Sequence, residues 1–328
     1  MTPLPFLRRA ARPAPEPPPR SAAVPREILR QVRLIELRTR GLVDAFFGGE
    51  YHSVFRGQGM EFSEVREYQP GDDVRTIDWN VTARTGRPHV KKHVEERELT
   101  VLLLVDLSGS EHFATRGRFK AEVAAEIAAV LALSAVRNND RVGLVVFSDH
   151  VEHVVPPKKG KRHVLRLIRD VLAFRPAGSG TDIAGALDYA ARLLPHRGII
   201  FVLSDFLPRY DQPPHTAGVV NEQWEKTLRL VSRRHDVVAV SLGDAAEDAL
   251  PRAGLLVLTD PETGEELVVD TEHDTVRSEF AAFVARERAD LRRLFRRLGV
   301  DEIEVRTDST IVRPLLAFFR RRERKLRR

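Results

Sequence analysis

The run Thr100-Val-Leu-Leu-Leu-Val105, closed by Asp106, constrains this chain more than any other segment, because it leaves no face for water. A strand of that kind must be covered on both sides, as in a parallel sheet flanked by helices. The residues that follow keep the same rhythm. Apolar periodicity predicts a helix over 119–137, a strand over 141–147, a short edge strand over 151–155 and a helix over 163–174. It then predicts a helix capped by Thr181 or Asp182 and running to 194, a strand over 199–203, a helix over 222–234 and a strand over 237–242. That alternation is the pattern of an α/β chain with a doubly wound, mostly parallel, Rossmann-like sheet between helices.

Outside this core, a helix is expected over 26–40 with Gly41 as its stop. Strand-like runs at 62–68 and 89–94 flank the turn Gln69-Pro-Gly-Asp-Asp73 and the segment Ile77-Asp-Trp79. Beyond the core come a hairpin over 255–259 and 266–269, a long charged helix over 275–298, a strand over 302–306 and a last helix from Ile311. The expected division is therefore a Pro/Arg-rich tail at 1–25 and a helix with a small β-containing segment at 26–98. The core at 99–245, an extension at 246–319 and a basic tail at 320–328 complete it.

Charge excludes a simple nucleic-acid reading. The net charge is +6, but residues 320–328 alone carry seven basic groups against Glu323, and residues 27–319 carry 41 basic and 45 acidic groups. The body is slightly acidic, and the tail offers a site for an acidic partner, whether lipid, nucleic acid or protein. With no cysteine, disulfides and thiolate chemistry drop out. No stretch reaches the roughly 18 apolar residues of a membrane span, and 123–136, broken by Glu126, reads as an amphipathic helix. A cytoplasmic protein without a transmembrane segment is expected.

In an open parallel sheet, ligands bind beyond the carboxyl ends of the strands where the strand order reverses. Asp106 and Asp205 each end a predicted strand, and Gly178-Ser-Gly-Thr181-Asp182 opens a helix between them. Asp106-Leu-Ser108-Gly-Ser110 places three oxygen-bearing side chains at alternate positions of one loop. Oxygen donors with one or two carboxylates suit Mg²⁺, which takes six oxygens at about 2.0–2.1 Å and keeps several waters.

This set resembles the metal-ion-dependent adhesion site of von Willebrand factor A domains. The resemblance implies that Ser108 and Ser110 bind a cation directly, Thr181 directly or through water, and Asp106 and Asp205 directly or one shell out. The cation would be Mg²⁺, with Mn²⁺ or Ca²⁺ as substitutes, and a carboxylate from a protein partner would complete it. A second resemblance rests on Glu61-Phe62, Arg66-Glu-Tyr-Gln-Pro-Gly-Asp-Asp-Val-Arg-Thr-Ile-Asp-Trp-Asn80, Ala83-Arg-Thr85 and Glu95-Glu-Arg-Glu98. These look like the domain of unknown function 58 family, whose members pair such a segment with an A-type domain and are often encoded beside MoxR-type AAA+ ATPases. Many of them begin with membrane helices, which this chain lacks.

The functional expectation is a metal-dependent, non-enzymatic protein-binding adaptor that works with a MoxR-type AAA+ ATPase in assembling, activating or remodelling other proteins. With no Gly-x-x-x-x-Gly-Lys-[Ser/Thr] loop, the chain is not its own P-loop ATPase. The alternative is an Mg²⁺- or Mn²⁺-dependent hydrolase or nuclease using the same cation as Lewis acid. It needs a nearby base, for which Asp182 and Glu111 are the candidates. A haloacid-dehalogenase-like phosphatase would need an acid where Ser108 stands. His150, Glu152 and His153 near Asp149 could bind zinc, though exposed histidines of a strand connection fit as well. Lys158-Lys-Gly-Lys-Arg162 reads as an exposed loop that could lie near the metal face. Arg66, Arg75, Asp78 and Arg84 are expected to brace the N-terminal segment.

Overall fold

The computed structural model describes residues 26–326 apart from 48–60, 95–98, 113–117, 179, 207–221, 261–263 and 265. The proline-rich tail, Glu95 to Glu98, Ser179, the tip of the predicted hairpin, Arg327 and Arg328 thus lie outside the described residues, as does the side chain of Glu111.

Six strands form the central sheet. In chain order they are β3 (Thr100–Asp106), β4 (Arg141–Phe147), β5 (Val151–Lys158), β6 (Ile199–Ser204), β7 (Asp236–Gly243) and β10 (Asp301–Arg306), following β1 (Glu61–Glu67) and β2 (His89–Val94). Their spatial order is β10-β7-β6-β3-β4-β5, parallel throughout except for β5, which runs antiparallel to β4 at one edge. From β3 the chain first builds outward through β4 and β5, then returns to build the other half through β6, β7 and β10. The switch point falls between β3 and β6.

The apolar run explains itself in this position. Val101, Leu103 and Val105 enter one core, and Leu102 and Leu104 enter the other, all essentially without exposure. The first core is closed by α1 (Arg26–Phe47), α3 (Lys120–Arg137), α4 (Lys161–Ala173) and α9 (Val312–Leu326). The second is closed by α5 (Ile183–Leu193), α6 (Glu222–Arg234) and α8 (Asp274–Leu298). Removing Leu103 down to Ala would cost about 2–5 kcal/mol, since the neighbours on both sides are fixed.

Helix α3 departs from expectation. Instead of showing a wet face it is buried nearly all round, because α1 lies over it with Val32, Ile28 and Ile35 packed into the same core. Gly41 does not stop α1, which continues to Phe47; a helical glycine costs only about 1 kcal/mol against alanine, and neighbouring turns absorb that.

In the N-terminal segment β1 and β2 pair antiparallel. The stretch between them holds an unexpected short helix, α2 (Trp79–Thr85), capped by the Asp78 carboxylate and ended by Gly86 in the left-handed region at φ 73°. Of the four expected bracing residues, Arg66 grips Asp72 through two hydrogen bonds of 2.6 and 2.8 Å, which holds the Asp72 carboxyl below its usual range. Asp78 is spent on the cap, and Arg75 and Arg84 point to solvent.

Two features lie beyond the sheet. A short helix α7 (Ala245–Asp248) leaves β7 and leads to the hairpin β8 (Leu255–Thr259) and β9 (Glu266–Asp270). The C-terminal helix α9 folds back on the start of the sheet. Arg322 pairs with Asp236 and Asp301, Lys325 reaches Asp301 at 2.8 Å, and Arg321 donates to the Glu302 carbonyl. Basic residues read as a free tail are thus partly committed to their own fold.

Candidate metal centre

Asp106 and Asp205 straddle the switch point, one at the end of β3 and the other just past the end of β6. Asp106 is fully buried. Its Oδ1 accepts the Ser108 N–H at 2.9 Å, which curls the loop back over the strand end, and its Oδ2 accepts the Ser204 hydroxyl at 2.7 Å. The Ser108 and Ser110 hydroxyls stand 3.1 Å apart, both buried. Asp106, Ser108 and Ser110 are therefore gathered at one point, and Asp205 stands near enough for its charge to act on Asp106. Burial, and then the neighbouring charge of Asp205, push the Asp106 carboxyl up to about 7 against the hydrogen bonds from Ser204 and Ser108. The all-oxygen set around it fits a hard divalent cation.

Thr181 stands one strand away, and its loop is pinned from both ends. Ahead of it, the Glu152 carboxylate accepts the N–H groups of Ala177 and Gly178, each at 2.9 Å, and the Ser148 hydroxyl at 2.7 Å. Behind it, the Asp182 N–H donates to the Ser148 carbonyl at 2.7 Å. Ser148 follows β4, whose Phe147 pairs in register with Asp106, so this brace ties the Thr181 loop to the strand beside the metal loop. A Cβ on Gly178 would overlap Asp149 and Ser148, which is why glycine passes here. Asp182 itself caps α5 through the Gly185 N–H at 2.9 Å, which occupies the carboxylate proposed as a base.

Near Asp205 the backbone is held in an unusual state. Phe206 takes a positive φ of 52°, with its N–H on the Ser204 hydroxyl at 3.1 Å and its ring packed against Trp224 and Phe295. Such conformations persist where the surroundings fix them, here at the turn that presents Asp205.

The residue that sequence reasoning missed is Lys120. At the first position of α3 it would ordinarily be solvated, yet it has no exposure, and its ammonium sits 2.8 Å from Asp205 Oδ2 and in contact with Glu247 of α7. Burial pushes the Glu247 carboxyl up despite that contact. Ser204 and Glu152 were also missed as supports. Glu152 had been considered only as a zinc neighbour. Asp149, His150 and Glu152 do approach one another, but His153 turns away to Asp170 at 3.4 Å and stacks on Phe174. The Lys158 to Arg162 loop lies at the opposite edge from the metal loop, because β5 runs antiparallel and ends where β4 begins.

Comparison with known proteins adds the following. The family described as "Protein of unknown function DUF58" matches residues 64–290. The uncharacterized protein Rv1480 of Mycobacterium tuberculosis is 33% identical over 297 residues, 89% of each chain, and the uncharacterized protein YeaD of Bacillus subtilis is 26% identical over 107 residues, 33% of this chain and 25% of that one. Among solved structures, BatB from Bacteroides thetaiotaomicron aligns with a TM-score of 0.43 at 16% identity, covering 70% of this chain and 98% of its own. The VWA domain of SpRpn10 aligns with a TM-score of 0.35 at 11% identity, covering 67% and 94%. Among the described residues no helix is long and apolar enough to cross a membrane.

Proposed function

This chain belongs to the DUF58 family and carries a von Willebrand factor A-type fold, and from that premise we propose that it is a metal-ion-dependent protein-binding adaptor. The observation that supports this reading is the gathering of Asp106, Ser108 and Ser110 at the switch point, with Asp205 at the end of the neighbouring strand. In this reading Ser108 and Ser110 hold Mg²⁺ directly, Thr181 joins directly or through water, and Asp106 and Asp205 balance its charge. Bound there, the ion supplies an open coordination position that a carboxylate of the partner protein fills.

The surroundings of the edge favour a protein partner. Arg288, midway along α8, pairs with Asp248 of α7 beside this edge, and the buried residues of α8 all lie in its second half. Its first half, roughly 20 Å long, holds none of those buried residues. Leu255, Val257 and Val268 share one face of the β8–β9 hairpin and Leu267 lies on the other, each more than half exposed, and apolar exposure of this kind is a mark of interaction surfaces. In this reading a MoxR-type AAA+ ATPase partner, which the family resemblance implies, supplies the energy for remodelling.

Pull-down with the full chain tests the reading. Partner capture should vanish in chelator, return with Mg²⁺, and be absent from Asp106→Ala/Ser108→Ala. Capture indifferent to both would contradict it, and Mg²⁺-dependent phosphodiester turnover that is lost in Asp205→Ala would replace it with the hydrolase reading.

A further inference from the structure

Nothing in the metal reading uses Lys120, yet it is buried as completely as Asp106. It occupies the first turn of α3, where the helix dipole disfavours a cation. Burying an ammonium costs several kcal/mol unless it is paired on more than one side, and Lys120 is paired with two carboxylates from two different strand ends. Asp205 follows β6 and Glu247 follows β7. Glu247 is itself fixed, its second oxygen accepting the Asp244 N–H at 2.9 Å, and Asp244 is in turn held by the Thr307 hydroxyl at 2.5 Å. The ammonium thus has one partner that belongs to the candidate metal set and one that belongs to a rigid turn beside it.

We propose that Lys120 is a resident counter-ion that competes with the divalent cation for Asp205, with Glu247 as the seat it retreats to, so that the Lys120–Glu247 pair sets the metal affinity of the edge. This rests on the metal reading above. A divalent ion shared between Asp106 and Asp205 meets a unit positive charge a few ångströms away, and at protein dielectric that repulsion is large enough to govern occupancy. Leaning toward Glu247 relieves it without leaving any of the three carboxylates bare.

The test is calorimetric titration of Mg²⁺ into the full chain, Lys120→Met and Glu247→Gln, with thermal unfolding in the same buffers. Lys120→Met keeps the length of the side chain and removes its charge, and should bind Mg²⁺ about tenfold or more tightly than the parent. Glu247→Gln keeps an acceptor for the Asp244 N–H and removes the charge that Lys120 retreats to, and should bind it more weakly. Shifts of opposite sign are what a purely structural lysine cannot give, because lost packing would weaken both. Equal affinities, or weaker binding in both variants, overturns the proposal.

If Lys120→Met does not fold, Glu247→Gln still decides, together with the ¹⁵Nζ signal of Lys120 in the parent chain. Weaker binding and a signal that moves on Mg²⁺ addition support competition; unchanged binding and an unmoved signal refute it. The two readings fail separately. A parent chain and variants that all ignore Mg²⁺ remove the metal site itself, whereas binding by Lys120→Met alone keeps the competition and makes the lysine the resting cation of the edge.

Discussion

Individual residues show how unevenly the site could be read from the chain. Asp106, Ser108, Ser110 and Asp205 were legible because chemistry fixes their spacing: alternate positions in one loop and the ends of two apolar strands. Lys120, Ser204 and Glu152 were not, because nothing local distinguishes a lysine, serine or glutamate that works across 85, 98 or 25 residues of sequence. Glu152→Ala would strand two backbone N–H groups and a hydroxyl, and is expected to cost about 2–4 kcal/mol in denaturant unfolding while weakening Mg²⁺ binding through the Thr181 loop. His235 supplies a pH dependence independent of the metal. It is buried, accepts the Gly198 N–H at 3.3 Å, and burial followed by the nearby charges of Arg234 and Arg197 holds its pKa below the ordinary 6.5. The unfolded chain then takes up this proton first as pH falls. The stability that neutral His235 contributes is present above about pH 6.5 and lost as pH falls toward its folded value. Unfolding followed from pH 8 to 5 should show that decline, and His235→Gln, which keeps an acceptor, should flatten it.

At the scale of elements, strands and helices of the core were readable because burial on two faces writes itself as an unbroken apolar run, and β3 is the clearest case. What failed were readings that depend on a distant neighbour. Helix α3 looks half-wet in isolation and is buried because α1 and α4 both pack on it. Helix α2 escaped notice because seven residues carry too little periodicity, although Asp78 and Gly86 marked its two ends. The basic tail looked solvated because Asp236 and Asp301, its partners, lie far back along the chain or across a turn. The β8–β9 hairpin was visible in its turn residues, but its exposure was not, since an apolar strand ordinarily implies a cover. Replacing residues 250–272 with a short polar linker should leave the unfolding midpoint and Mg²⁺ affinity close to those of the parent and abolish partner capture. Capture that survives the deletion would mean the arm is not the surface that engages the partner.

For the molecule as a whole, the order β10-β7-β6-β3-β4-β5 brings the structure's clearest chemistry to one edge: a fully buried carboxylate, two hydroxyls, a second carboxylate and a buried ammonium. From there Asp248 of α7 pairs with Arg288 of α8 and Arg306 of β10, which ties that edge to the segment leading into the β8–β9 arm. A cation at that edge would sit where the sheet, the arm and a partner can meet, and the adaptor reading depends on its being there. The most direct measurement is a titration of Mn²⁺ followed by the loss of its free-ion electron paramagnetic resonance signal, on the parent chain and on Ser108→Ala/Ser110→Ala. The account predicts one saturable site per chain, displaced by Mg²⁺ and absent from the double variant with the fold retained. A parent chain that leaves the Mn²⁺ signal unchanged, or a double variant that still takes up one ion, would contradict it.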